Sequence, residues 1–215
     1  MTEPKIKLFK IKLADGYDLP PIYPQRAELN LVIDPDPRLR LVSSDVKMPP
    51  DNSQLDEFIA KMIWTMYAAN GVGLAAPQVG TNERIIVFDS EWGTSKKFNP
   101  MALLNPVILD RSEETQDVFE GCLSVGCHYY TNVKRAAEVW VLGFDLKGEE
   151  VRFVATDLLA AIIQHEVDHL DGVLFIDSIS SLKLGMLARK KSKLKKKARR
   201  IASKATPVDL STVEP

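Results

Sequence analysis

The chain has 215 residues, 45% hydrophobic and 27% charged, with a formal net charge of −1. This suits one folded domain with a sizeable core, and the longest apolar run, Leu158 to Ile163, is far short of the roughly 18 residues that span a bilayer. The near-zero charge conceals an asymmetry: Lys183 to Lys204 holds 11 of the 28 Lys and Arg and no acid, leaving 17 bases against 29 acids elsewhere.

The first residues lack an apolar stretch and carry acids at Glu3, Asp15 and Asp18, which argues against a secretory or transit peptide and predicts a cytoplasmic protein. Residues 6 to 13 alternate roughly between apolar side chains and Lys, as an exposed strand does, and Pro20, Pro21 and Pro24 close the segment. Residues 1–30 therefore read as an extension, 31–182 as the body and 183–215 as a basic tail. Leu55, Phe58, Ile59, Met62, Ile63, Met66 and Tyr67 form one stripe, predicting a core helix from Leu55 to Asn70 with Ser53 as cap and Gly71 as left-handed stop. Strands are expected at Arg84 to Asp89, Leu103 to Leu109, Glu138 to Asp145 and Glu150 to Thr156, the last two joined as a hairpin around Lys147-Gly148. A second helix follows from Asp157 to Asp171, capped by Thr156 or Asp157 and stopped by Gly172, and its apolar residues, Leu158 and Leu159 included, predict burial. The expected fold is α+β: a largely antiparallel or mixed sheet around a buried central helix, with a C-terminal helix.

That second helix carries His165-Glu166-Val167-Asp168-His169. Histidines at i and i+4 project from one face, the spacing at which two imidazoles bind one metal ion, and Glu166 stands beside them to move a proton. A catalytic metal needs a third protein ligand and an open position. Two protease solutions fail: the only later Glu is Glu214, and Phe175 stands where a third histidine would have to be. The ligand is therefore expected upstream, where Glu120-Gly121-Cys122-Leu123-Ser124 offers a thiolate among small residues, with Cys127 and His128 as competitors. Cys122 and Cys127 are too few and too close to make a disulfide framework. Gly71 to Gly80 contains no phosphate-loop lysine, but its glycines admit a peptide backbone and Gln78 offers a neutral donor for an oxyanion.

Together, Gly71 to Gln78, Glu120 to Ser124 and Gln164 to His169 resemble the three motifs of the peptide deformylase family, in the family's order, and Asp36-Pro37-Arg38-Leu39-Arg40 resembles its opening segment. The resemblance covers about residues 31 to 180 and implies hydrolysis of the N-formyl group from the initiator methionine of new peptides, releasing formate. It implies one divalent ion, iron(II) favoured and zinc possible, held by Cys122, His165 and His169. Glu166 would be general base and then acid, and Gln78 with the Leu123 backbone N–H would stabilise the oxyanion. Val72, Val118, Leu158, Ala161 and Ile162 would line the methionine pocket, while Gly73 and Gly121 would pair with the substrate backbone. Arg135 would bridge Glu120 and Asp168. The family usually has proline where this chain has Gly126, followed by Cys127-His128-Tyr129-Tyr130, so a different substrate rim is expected.

The C-terminal helix of that family binds the ribosome, which makes the tail a candidate ribosome contact. Leu184, Leu187, Leu194, Ala198 and Ile201 recur at spacings that permit a helix with one thin apolar edge. Two other functions fit the same residues: a metal-dependent amidase or peptidase acting on another acyl group, and a ribosome or RNA binder whose metal site is structural.

Overall fold

The computed structural model describes residues 29–50, 52–95, 97–126 and 129–180, and within 182–196 residues 182–186, 188–189, 192–193 and 196. The expected strand at residues 6 to 13, Cys127, His128 and most of the basic tail lie outside the described residues. The chain divides into two units after Ser178. In the second, residues 182–186 are helical and the Leu184 N–H donates to the Ser180 carbonyl at 2.9 Å.

The first unit contains helix α1 (Asn52–Ala68), strands β1 (Gly73–Ala75) and β2 (Ile85–Phe88), a short helix α2 (Ser90–Ser95) and strand β3 (Met101–Arg111). Strands β4 (Thr115–Gly121), β5 (Tyr130–Ala136), β6 (Glu138–Phe144) and β7 (Glu150–Thr156) follow, then helix α3 (Asp157–Leu170). Five strands make one sheet in the order β1-β2-β3-β6-β7, and β4 and β5 make a second, with antiparallel pairing throughout.

The uninterrupted Ile85-Ile86-Val87-Phe88 run has a physical reason, since a strand buried on both faces needs no polar alternation. Ile86 and Phe88 belong to the cluster containing Ile162, Ile163, Val167 and Leu170 of α3. Ile85 and Val87 belong to the cluster containing Ile59, Met62, Ile63 and Met66 of α1. The sheet is thus packed between α1 and α3, and α3 leaves its His-bearing last turns beside β4 and β5.

Several local expectations need correction. Ser53 lies inside α1, whose first residue is Asn52. Its stop is Asn70 (φ 55°), not Gly71, since a short polar side chain tolerates the left-handed region. Thr156 occupies the N-cap position of α3 with no side-chain cap bond, its hydroxyl donating instead to the Asp157 carboxylate at 3.2 Å. Gly172 (φ 72°) takes the turn after α3, where a Cβ would lie 2.6 Å from the Arg40 carbonyl oxygen. Leu158 and Leu159 are only half-buried, Leu158 because it faces a cleft.

Candidate metal centre and its cleft

Two segments distant in sequence meet here. Cys122 follows β4, while His165 and His169 stand one turn apart on α3, their ring centroids 5.0 Å apart. One donor atom from each of Cys122, His165 and His169 lies within 4.8 Å of the other two, and Cys122 Sγ is 3.2 Å from His169 Nε2. Cys122 is 8% exposed and His169 1%, so both donors are buried.

His165 is oriented from behind. Glu120 Oε2 lies 3.0 Å from His165 Nδ1, which leaves Nε2 of that ring for a ligand. Arg135 donates to both Glu120 oxygens, at 2.7 and 3.0 Å, and to Asp168 Oδ2 at 2.6 Å, tying β4, β5 and α3 together. Burial opposes ionisation of Glu120, but the bonds from Arg135 and His165 prevail and hold its pKa at about 2. Burial pushes His169 well below its ordinary value and keeps it neutral, the state in which an imidazole ligates a metal.

Glu166 is buried between the two histidines in sequence, and burial pushes its carboxyl up to about 7, suited to proton transfer near neutrality. Its Oε2, like His169 Nδ1, has no hydrogen-bond partner among the described residues. Gly73 is small for a steric reason: a Cβ there would collide with the Glu166 carboxylate. Gln78 is fixed by the Ala75 N–H, which donates to its Oε1 at 2.8 Å. The other end of the amide, Nε2, points at Ser124 Oγ (3.2 Å) and Cys122 Sγ (3.6 Å).

A cleft of about 330 Å³ brings together Gln78, Cys122, Leu123, His165 and Glu166 with the expected pocket residues Val72, Gly73, Val118, Gly121, Leu158, Ala161 and Ile162. His169, Arg135 and Asp168 do not line it. Sequence reasoning missed Phe119 as a lining residue and Gln164 as a brace. The Gln164 side chain accepts from Ala136 N (3.1 Å) and donates to Ala136 O (3.0 Å), fastening α3 to the end of β5. A lone amide on an otherwise apolar helix face was the available signal for it.

One sulfur and two imidazole nitrogens, with an oriented outer carboxylate and a fourth side open to a cleft, fit a single catalytic divalent ion. Comparison with known proteins points the same way. A family model described as polypeptide deformylase matches residues 28–184. The peptide deformylase of Brucella suis biovar 1 is 46% identical over 165 residues, covering 76% of this chain and 91% of the relative. That of Fusobacterium nucleatum is 40% identical over 163 residues, covering 76% and 90%. Among solved structures, a peptide deformylase from Synechococcus elongatus in complex with actinonin has a TM-score of 0.70 at 40% identity, covering 78% of this chain and 87% of that one. A peptide deformylase from Legionella pneumophila has a TM-score of 0.69 at 37% identity, covering 83% and 99%. This chain belongs to the peptide deformylase family.

Proposed function

We propose that this protein hydrolyses the N-formyl group of formyl-methionyl peptides, releasing formate and a free amino terminus, with Cys122, His165 and His169 holding one divalent ion. The observation that carries this reading is the convergence of those three donors beside a buried, uncommitted Glu166 oxygen at the cleft. The S,N,N set accepts iron(II) or zinc, and the resemblance in motifs favours iron(II). Such an ion supplies Lewis-acid polarisation and a lowered pKa for a water.

The chain's own residues do the rest. α3 serves as the central helix that presents the ligands and Glu166 on adjoining faces. Glu166 takes the proton from the attacking water and returns it to the departing amine nitrogen as the C–N bond breaks. Gln78 Nε2 and the Leu123 backbone N–H donate to the formyl oxygen as charge develops there. Val72, Val118, Leu158, Ala161 and Ile162 receive the methionine side chain, and Gly73 and Gly121 let the peptide backbone approach. We further propose that residues 31–182 are the catalytic body, preceded by the extension 1–30, and that the basic segment from Lys183 docks the enzyme in the cytoplasm on ribosomes, where formylated chains emerge.

The test compares formate release from formyl-Met-Ala-Ser with acetate release from its acetyl analogue, alongside metal content, using protein prepared anaerobically. Formate alone is expected. Glu166→Gln should keep its metal and lose at least about 10²-fold in turnover, whereas Cys122→Ser should lose most of its metal and Cys127→Ser should keep it. Acetate release at a comparable rate would favour a broader amidase, and a fully active Glu166→Gln would refute the mechanism.

A further inference from the structure

Neighbouring residues of β4 face opposite ways. Val118 is half-buried and Glu120 buried against Arg135 and His165, whereas Phe119 between them is 70% exposed. Phe119 stacks on Tyr130 with centroids 5.7 Å apart and planes 21° from parallel. Tyr130 is the β5 partner of Gly121, and its ring occupies the space that a Gly121 Cβ would need, Cδ1 lying 2.6 Å from that position. The stack is therefore set by strand register and by a missing side chain, and both rings line the same cleft as Cys122 and Glu166.

We infer that Phe119 and Tyr130 form an aromatic ledge that receives the side chain of the substrate's second residue, the one after formyl-Met, and favours an aromatic group there over a small or acidic one. This rests on the deformylase reading, in which the methionine enters the pocket lined by Val118 and the substrate backbone runs past Gly121. An extended peptide sends successive side chains to opposite faces. With the methionine on the Val118 side, the second side chain falls on the Phe119 side. There it meets two solvent-exposed rings, whose burial is favourable and whose faces carry the negative end of an aromatic quadrupole, attracting a ring edge and repelling a carboxylate.

The test measures kcat/KM for formate release from formyl-Met-Phe-Ala, formyl-Met-Ala-Ala, formyl-Met-Asp-Ala and the positional control formyl-Met-Ala-Phe. Phe at the second position should exceed Ala by roughly 3- to 10-fold, with Asp below Ala and no comparable gain from Phe at the third. Phe119→Ser should bring the Phe and Ala peptides level, and Phe119→Tyr should keep the preference. Phe119 is mostly in water, and thermal melts of both variants verify the fold. Equal rates for Phe and Ala in the parent, an equal gain at the third position, or a preference that survives Phe119→Ser would overturn the inference. No formate from any of the four peptides would instead reject the deformylase reading beneath it.

Discussion

Glu120 Oε2 and His165 Nδ1 stand 3.0 Å apart, and Arg135 grips the same carboxylate through Nε and Nη2. The orientation of a ring on α3 is thereby dictated by β4 and β5. Carboxylates in this position fix the histidine tautomer and raise its basicity. Glu120→Gln preserves shape and removes the charge, so metal affinity should fall by about 10- to 100-fold, read by competition with a chelator. Unchanged affinity would mean that the contact orients nothing.

The parts of the fold that were readable in the sequence share one feature: a single physical demand per residue. The α1 stripe and the four apolar strands answer only to burial, and their periodicity shows it. β4 and β5 were invisible because polar Glu120, Thr131 and Arg135 interrupt their apolar inward positions Val118, Val133 and Ala136, and Glu120 and Arg135 are bonded to each other and to α3. The strand β1 was hidden for a related reason. Gly73 sits in a strand where glycine is a poor choice, and only the Glu166 carboxylate packed against it explains why. At the site, residue types and spacing brought the two donor-bearing segments to notice, with Cys127 and His128 still competing with Cys122, but not how their orientation is enforced. Glu166 and Gln78 were legible as polar groups in apolar or glycine-rich surroundings, whereas Phe119 was not, since an exposed aromatic acquires meaning only from its partner across the sheet.

Gly93 of α2 should set the width of the cleft wall. A Cβ there would lie 3.0 Å from Leu158 Cδ2 and 3.1 Å from Val72 Cγ1, two residues that line the cleft. The helix cannot easily back away, because Asp89 accepts from the Trp92 N–H at 2.9 Å and from the Tyr67 hydroxyl at 2.5 Å, and Trp92 stacks on Phe98. Gly93→Ala should push the two side chains inward and displace about one methylene's worth of burial, about 0.8 kcal/mol or a 4-fold rise in KM for formyl-Met peptides. The rise for formyl-Ala peptides should be smaller. Since alanine is favoured over glycine in a helix by about 1 kcal/mol, Tm should not fall; an equal KM change for both peptides would count against this wall.

The ion pair between Arg40 and Asp177 predicts a pH dependence of stability. Arg40 donates to both Asp177 oxygens, and the Leu174 N–H donates to Oδ2 at 2.9 Å. Partial burial works to raise the Asp177 pKa, but these bonds prevail and hold it below the ordinary carboxylate range. A carboxyl depressed in the folded state stabilises fully above its unfolded pKa of about 3.9, and that stability is lost as pH falls through the lower folded value. Both side chains are about 40% exposed, so screening keeps the effect within about 1 kcal/mol, or about 2–4 °C in Tm for a chain of this size. Asp177→Asn should thus melt below the parent at pH 6, and the gap should close progressively towards pH 3. A gap independent of pH would assign the loss to packing.

The tail gives the last prediction. Substrates of a deformylase arise only at ribosomes, and a tether there would raise effective concentration without altering the active site. Lys183 to Lys204 contributes eleven positive charges and no acid, on a chain whose remainder is acidic, which makes that segment the part an RNA backbone would attract. A chain cut after Ser181 should retain formate release from a short formyl-Met peptide and lose co-sedimentation with ribosomes. In the full chain, binding through about six phosphate contacts should weaken on the order of 10³-fold between about 50 and 200 mM salt, because each contact releases counterions. Co-sedimentation that survives the cut would place the ribosome contact elsewhere, and salt-insensitive binding would exclude phosphates as its basis.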